Sequence, residues 1–137
     1  FYIPYGVATD GTNVFVADAS NNTIRRIVIS TGVTTTLAGT ALSSGSVDGT
    51  GAAARFNSPW GVATDGTNLF VADLENQTIR KVVISTGVVT TPIGVAGSAG
   101  VVLGPLPARL NYVLGIATSS GQIYLTSENS VLAAPAP

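Results

Sequence analysis

A stretch of fifteen residues, PYGVATDGTNVFVAD from Pro4 to Asp18, recurs as PWGVATDGTNLFVAD from Pro59 to Asp73, with changes only at Tyr5/Trp60 and Val14/Leu69. The match continues at the same offset: NNTIRRIVISTGVTTT (21–36) answers NQTIRKVVISTGVVTT (76–91). A weaker third copy begins at Leu110, where LNYVLGIATSSGQIYLTSENSVL echoes FNSPWGVATDGTNLFVADLENQTI. Repeats of this length build arrays, solenoids or propellers, because one unit cannot bury its own apolar face and must stack on the next.

Within a repeat the turn signals divide the chain into four short segments. Asp10-Gly11-Thr12-Asn13 is an Asp-Gly turn between a strand at about 6–9 and one at 14–18. Ala19–Asn22 is a second polar turn. Thr23–Ile29 follows as a third strand, with Ile24, Ile27 and Ile29 facing inward. After Ser30-Thr31-Gly32 comes a β-branched fourth strand over 33–38. Four antiparallel strands joined by tight turns make one blade of a β-propeller. The connectors are Gly39–Ser58, in which Ala52–Phe56 is expected to form one helical turn, and Gly94–Leu110, stiffened by Pro105 and Pro107. The resulting division is 1–55 (blade and connector), 56–109 (blade and connector) and 110–137 (a partial third blade with a Pro/Ala-rich tail). The third unit has strands at about 114–118 and 122–126 and is then expected to run out without completing its sheet. The fold is therefore all-β: two complete four-stranded blades plus a partial third, an incomplete propeller.

The pattern PxGVAxD…VAD…TIR(K/R) resembles the NHL repeat, and residues 45–61, GSVDGTGAAARFNSPWG, are similar to the long connectors of a bacterial subfamily. The resemblance implies an NHL-type propeller, a fold that usually closes with about six blades. Fewer than three blades cannot close a ring alone. Some NHL propellers resemble peptide-amidating lyases, which need His-bound zinc, and this chain has no His. Others bind RNA through a basic face; here six basic residues are scattered, and nucleic acid is not expected as a partner.

Composition limits the chemistry further. There is no Cys, His or Met, which removes thiolate chemistry and the usual ligands of zinc, copper and haem. No catalytic residue, cofactor or metal is expected, and the chain is not expected to be an enzyme. Asp48-Gly49-Thr50-Gly51 has oxygen ligands for a hard cation but lacks a series of acids. Asp10 and Asp65 read as turn residues. Asp18 with Arg25, and Asp73 with Arg80, recur at one spacing across a hairpin and are expected to form structural ion pairs. Tyr5 and Trp60 hold equivalent places before the first strand and offer a possible ligand platform.

Charged residues make up only 9% of the chain against 45% hydrophobic, so much of the surface is expected to be covered by further protein. Phe1, Phe15, Phe70, Tyr124 and Leu125 are the interface candidates, and the open terminal faces are expected to show Val14, Phe15, Val16, Ile123, Tyr124 and Leu125. The expected role is a non-enzymatic module that self-associates into a homo-oligomer, ring or filament. The alternative is part of a longer propeller that binds a protein, peptide or glycan on its blade-end loops. No run of apolar residues is long enough to span a membrane as a helix. The Lys-poor, Cys-free, Thr/Ser/Gly-rich composition leads to an exported bacterial protein, extracellular or at the cell surface.

Overall fold

The computed structural model describes residues 1–98 and 110–137; the stiffening prolines Pro105 and Pro107 of the second connector lie outside the described residues. Blade 1 is an antiparallel sheet of β1 (Pro4–Thr9), β2 (Asn13–Asp18), β3 (Thr23–Val28) and β4 (Thr34–Gly39), paired in that order. A short strand, β5 (Gly49–Thr50), belongs to the second sheet. Blade 2 contains β6 (Pro59–Thr64), β7 (Asn68–Asp73), β8 (Thr78–Val83) and β9 (Val88–Ile93), with β5 added on the outer edge of β9. Blade 3 has β10 (Val113–Ser119), β11 (Gln122–Ser127) and β12 (Ser130–Pro135). The helical pieces among the described residues are three-residue 3-10 turns, at Ala19–Asn21, Gly51–Ala53 and Leu74–Asn76.

The third unit differs from expectation. Instead of running out after two strands, it adds β12, whose residues pair with β11 from Ser127↔Ser130 to Gln122↔Pro135. The connection between them is only Glu128-Asn129, two residues shorter than Ala19–Asn22 in blade 1, and this shortening hides the strand from a comparison at fixed offset. Ile29 also departs from its expected inward place. It lies just past the end of β3 and is 52% exposed, whereas Ile24 is fully buried.

Why the units share one shape is visible at their first strands. Each breaks register at the same point, between Pro4 and Val7, Pro59 and Val62, and Val113 and Ile116. Each of these irregularities contains a glycine, and β1, β6 and β10 stand side by side there. A Cβ on Gly6 would run into the carbonyl oxygen of Trp60, and one on Gly61 into that of Leu114. Glycine lets the first strands of adjacent blades approach backbone to backbone.

The alternation of side chains gives every blade two unlike faces. In blade 1, Phe15, Ala17, Ile24 and Ala38 point toward blade 2, where they meet Val62, Leu69, Val71 and Val82 in one buried cluster. In blade 2, Phe70, Ala72, Ile79 and Ile93 point the other way and meet Val113, Ile123 and Leu125 of blade 3. The same face of each blade therefore covers the opposite face of the next. This corrects the expected terminal surfaces: Phe15, Ile123 and Leu125 are fully or nearly fully buried between blades of the chain, as is Phe70. The faces left open carry Val7, Val14 and Val16 on blade 1, and Tyr124 and Val131 on blade 3.

Candidate functional site

Each blade entry is clamped by the residue that ends its second strand. The Asp18 carboxylate accepts hydrogen bonds from the Tyr2 N–H (2.6 Å) and the Asn21 side-chain amide (2.9 Å). Asp73 accepts the Asn57 N–H (2.7 Å) and the Asn76 amide (2.8 Å) in the same manner. In blade 3, Ser127 takes the place: its Oγ accepts the Asn111 N–H (3.0 Å) and donates to the Asn111 carbonyl oxygen (2.7 Å). The clamp holds the incoming chain against the end of the hairpin, so it fixes where each first strand begins.

The acid also meets the arginine expected opposite it. Arg25 Nη1 lies 3.4 Å from Asp18, and Arg80 Nη1 lies 2.9 Å from Asp73. In blade 3 the register puts Leu132 against Leu125, where blade 1 has Arg25 against Val16. With Ser127 in place of the acid, ion and partner have both gone.

Around Arg80 the connector builds something that the repeat spacing does not reveal. Arg80 is fully buried; its Nη1 also donates to the Arg55 carbonyl (2.7 Å), and its Nη2 donates to the Val47 carbonyl (2.9 Å) and to Asp48 (3.0 Å). The Phe56 ring covers the guanidinium, 5.0 Å from ring centre to Cζ. Asp48 is held in turn by the N–H and hydroxyl of Thr91, at 3.2 and 2.7 Å. Asp48 thus works as a strut between connector and sheet. Its partner Arg80 lies 32 residues further on, across a whole hairpin, so no local motif announces the contact. Among the described residues no group of three or more His, Cys, Asp or Glu side chains could hold a metal ion.

Burial pushes the Asp73 carboxyl up to about 6, against the pull of the Asn57 N–H, the Asn76 amide and the Arg80 charge. Asp65 and Asp10 behave differently. Burial works to raise both, but hydrogen bonds from Asn68 and Thr67, and from Asn13 and Thr12, hold them below the ordinary carboxylate value. These two are the turn residues of the hairpin tips, each accepting two backbone N–H groups.

Tyr5 and Trp60 stack, with ring centres 3.4 Å apart and planes at 17°. Leu114 occupies the equivalent place in blade 3 and is 42% exposed. The three side chains form a row on the first strands, and Tyr5 itself is 47% exposed. Of the remaining interface candidates, Phe1 is exposed and lies over Arg25 at 5.2 Å, and Tyr124 is 40% exposed at the position where Phe15 and Phe70 are fully buried.

Comparison with known proteins bears on this arrangement. Residues 14–65 match the N-terminal model of the coenzyme F420 hydrogenase/dehydrogenase beta subunit. That stretch is under half of the chain and runs from β2 to just beyond β6, cutting across two blades, so it shows no family. NHL repeat-containing protein 2 of Gallus gallus is 36% identical over 89 residues, 65% of this chain and 12% of that protein. An auxiliary nutrient binding protein from Bacteroides thetaiotaomicron superposes with a TM-score of 0.73 at 22% identity, covering 84% of this chain and 32% of that one. A chain of the nidogen/laminin complex gives 0.69 at 19% identity, over 98% of this chain and 44% of its own. The chain spans about a third of the first solved relative and less of the curated one, and at these identities the superpositions show the fold alone. Repeat motif, blade geometry and sequence match agree: the chain belongs to the NHL-repeat β-propeller family.

Proposed function

We propose that this chain is a non-enzymatic interaction module that assembles head to tail through its two open blade faces, the partner being a second copy. One observation carries this reading. Val7, Val14, Val16 and Ile27 on blade 1 hold the positions of Val62, Leu69, Val71 and Val82 on blade 2, which are buried beneath blade 1. At the other end, Tyr124 holds the position of Phe15 and Phe70, with a hollow of about 310 Å³ beside it lined by Gly115, Ala117 and Val131. Each end thus presents one half of an interface that the chain makes twice inside itself. Apolar faces of this kind mark interaction surfaces on soluble proteins. Head-to-tail contacts close into a ring when the rotation fits and otherwise grow into a filament.

The absence of His and Cys supports a non-enzymatic role, since the usual general bases and thiolate nucleophiles are missing. Composition supports a place on the bacterial exterior. Sedimentation of the isolated chain tests the assembly: mass rising with concentration through the micromolar range is expected, and a well-folded monomer throughout that range would overturn it.

A second reading makes these blades part of a longer propeller that binds a protein, peptide or glycan. The stacked, half-open Tyr5–Trp60 pair favours it, as do relatives that include a nutrient binding protein and a propeller from a protein–protein complex.

A further inference from the structure

Blade 2 is wrapped along its outer edge by residues 47–56, and blade 1 offers the same receiving residues without that wrapping. In blade 2, Gly49 and Thr50 pair antiparallel with Val89 and Val88 at the sheet edge. Asp48 takes Thr91 and Arg80, and the carbonyls of Val47 and Arg55 take the other guanidinium protons. At the same offset, blade 1 has Arg25 for Arg80, Asp18 for Asp73, Thr36 for Thr91, and Val33 and Thr34 for Val88 and Val89. Here Val33, Thr34 and Thr36 are exposed, and the Arg25 side chain is 23% exposed. Arg25 donates from Nη1 to Asp18 and from Nε to the Thr35 carbonyl, both at the long distance of 3.4 Å. Even the aromatic cover is in place, since Phe1 lies over Arg25 as Phe56 lies over Arg80.

We propose that the outer edge of blade 1 is a peptide-binding site for an extended, acidic, glycine-rich segment of the connector type, carried by another NHL chain. Its chemistry is read from the occupied copy. The aspartate is taken by Arg25 Nη2 and by the N–H and hydroxyl of Thr36, and the carbonyl before it by the same guanidinium. The following Gly-Thr adds a short strand to β4 at Thr34 and Val33, a β-augmentation. Glycine is needed after the aspartate, because a Cβ on Gly49 would already press on Ala53 at 3.1 Å. Further copies of this chain are poor donors. Each holds its Ser44–Arg55 segment on its own blade 2, and the second connector, residues 94–110, contains no acidic residue. The site lies on the sheet edge, apart from the open faces that drive assembly, so either idea can fail without the other.

The test is an anisotropy titration of a fluorescent peptide with the sequence of Ser44–Arg55, SGSVDGTGAAAR, against the whole chain. Saturable binding is expected. It should weaken about tenfold or more with Asp48→Asn in the peptide, and likewise with Arg25→Gln or Thr36→Val in the chain, as a charge-assisted hydrogen bond is lost. Circular dichroism checks that each variant folds, and the peptide substitution needs no change to the chain at all. Absence of saturation at millimolar peptide, or binding that Asp48→Asn leaves unchanged, would overturn the proposal.

Discussion

Val7 and Val62 occupy the same place in two blades of nearly the same sequence, yet Val7 is 64% exposed and Val62 only 6%. Arg25 and Arg80 show the same divergence: one is partly open with its acid at 3.4 Å, the other enclosed with its acid at 2.9 Å. The local chain is not the cause, because the strands, the register break and the Asp clamp are shared. What differs is the neighbour in front. Blade 2 has blade 1 on one face, blade 3 on the other, and a connector around its edge; blade 1 has a covered face on one side only. In a propeller, burial and electrostatic environment are properties of the stack, and a single repeat carries only half of each contact.

The comparison is sharpest for the aromatic knobs. Phe70→Ala should destabilise by about 3–5 kcal/mol, the cost of emptying a packed core site. Tyr124→Ala, at the equivalent but partly exposed place, should cost no more than about 1 kcal/mol in the monomer. Equal losses in denaturant unfolding would mean that Tyr124 is as well covered as Phe70, contrary to the faces described above.

The acid clamps come next. Asp73→Ala leaves a buried guanidinium with Asp48 and two carbonyls, and is expected to cost about 3 kcal/mol. Asp18→Ala, beside a partly solvated arginine, should cost about 1–2 kcal/mol. Thermal melts of the two variants compare them directly, and a larger drop for Asp18 would reverse the ranking.

Glycines at the first strands should separate by a smaller margin. Gly61→Ala forces a Cβ onto the Leu114 carbonyl and should cost about 1–3 kcal/mol. Gly115→Ala meets only the Thr126 side chain, nearest at 3.1 Å, and should shift stability by about 0.5 kcal/mol or less.

The smallest signal is a slope with pH. Because the folded pKa of Asp73 lies near 6, above its ordinary 3.8, the folded chain holds a proton between those values that the unfolded chain has released. The contribution of this group is fully present below about pH 4 and is lost as pH rises through 6. Asp10 and Asp65 act in the opposite sense: their contribution is present above the ordinary carboxylate pKa and is lost as pH falls through their lower folded values. Asp73→Asn should therefore flatten the loss of stability between pH 4 and 6, whereas Asp65→Asn should leave that window unchanged.

Much of this was legible in the sequence because it is carried locally. The Asp-Gly tips, the alternating strands and the Asp–Arg spacing depend on a hairpin's own arithmetic, so a repeat displays them twice. The Arg80 enclosure was not legible. Asp48 and Arg80 meet only after the connector folds back along β9, and the Asp48 stretch reads equally well as an exposed loop. β12 was hidden for another reason: Val131-Leu132-Ala133-Ala134 lacks alternation, and Pro135 suggests a tail. A proline is nonetheless tolerated at the end of an edge strand. The burial of Phe15 and Leu125 turned on which side of each blade faces its neighbour, and alternation alone does not say which side that is.

Head-to-tail pairing of the two open faces can be tested by cysteine cross-linking, since the chain has no cysteine of its own. Val16→Cys and Tyr124→Cys place one thiol on each face. On mild oxidation, mixing the two variants should give a covalent dimer, while each variant alone should stay monomeric, because the joined surfaces are unlike. A dimer formed by either variant with itself, or none in the mixture, would contradict the account.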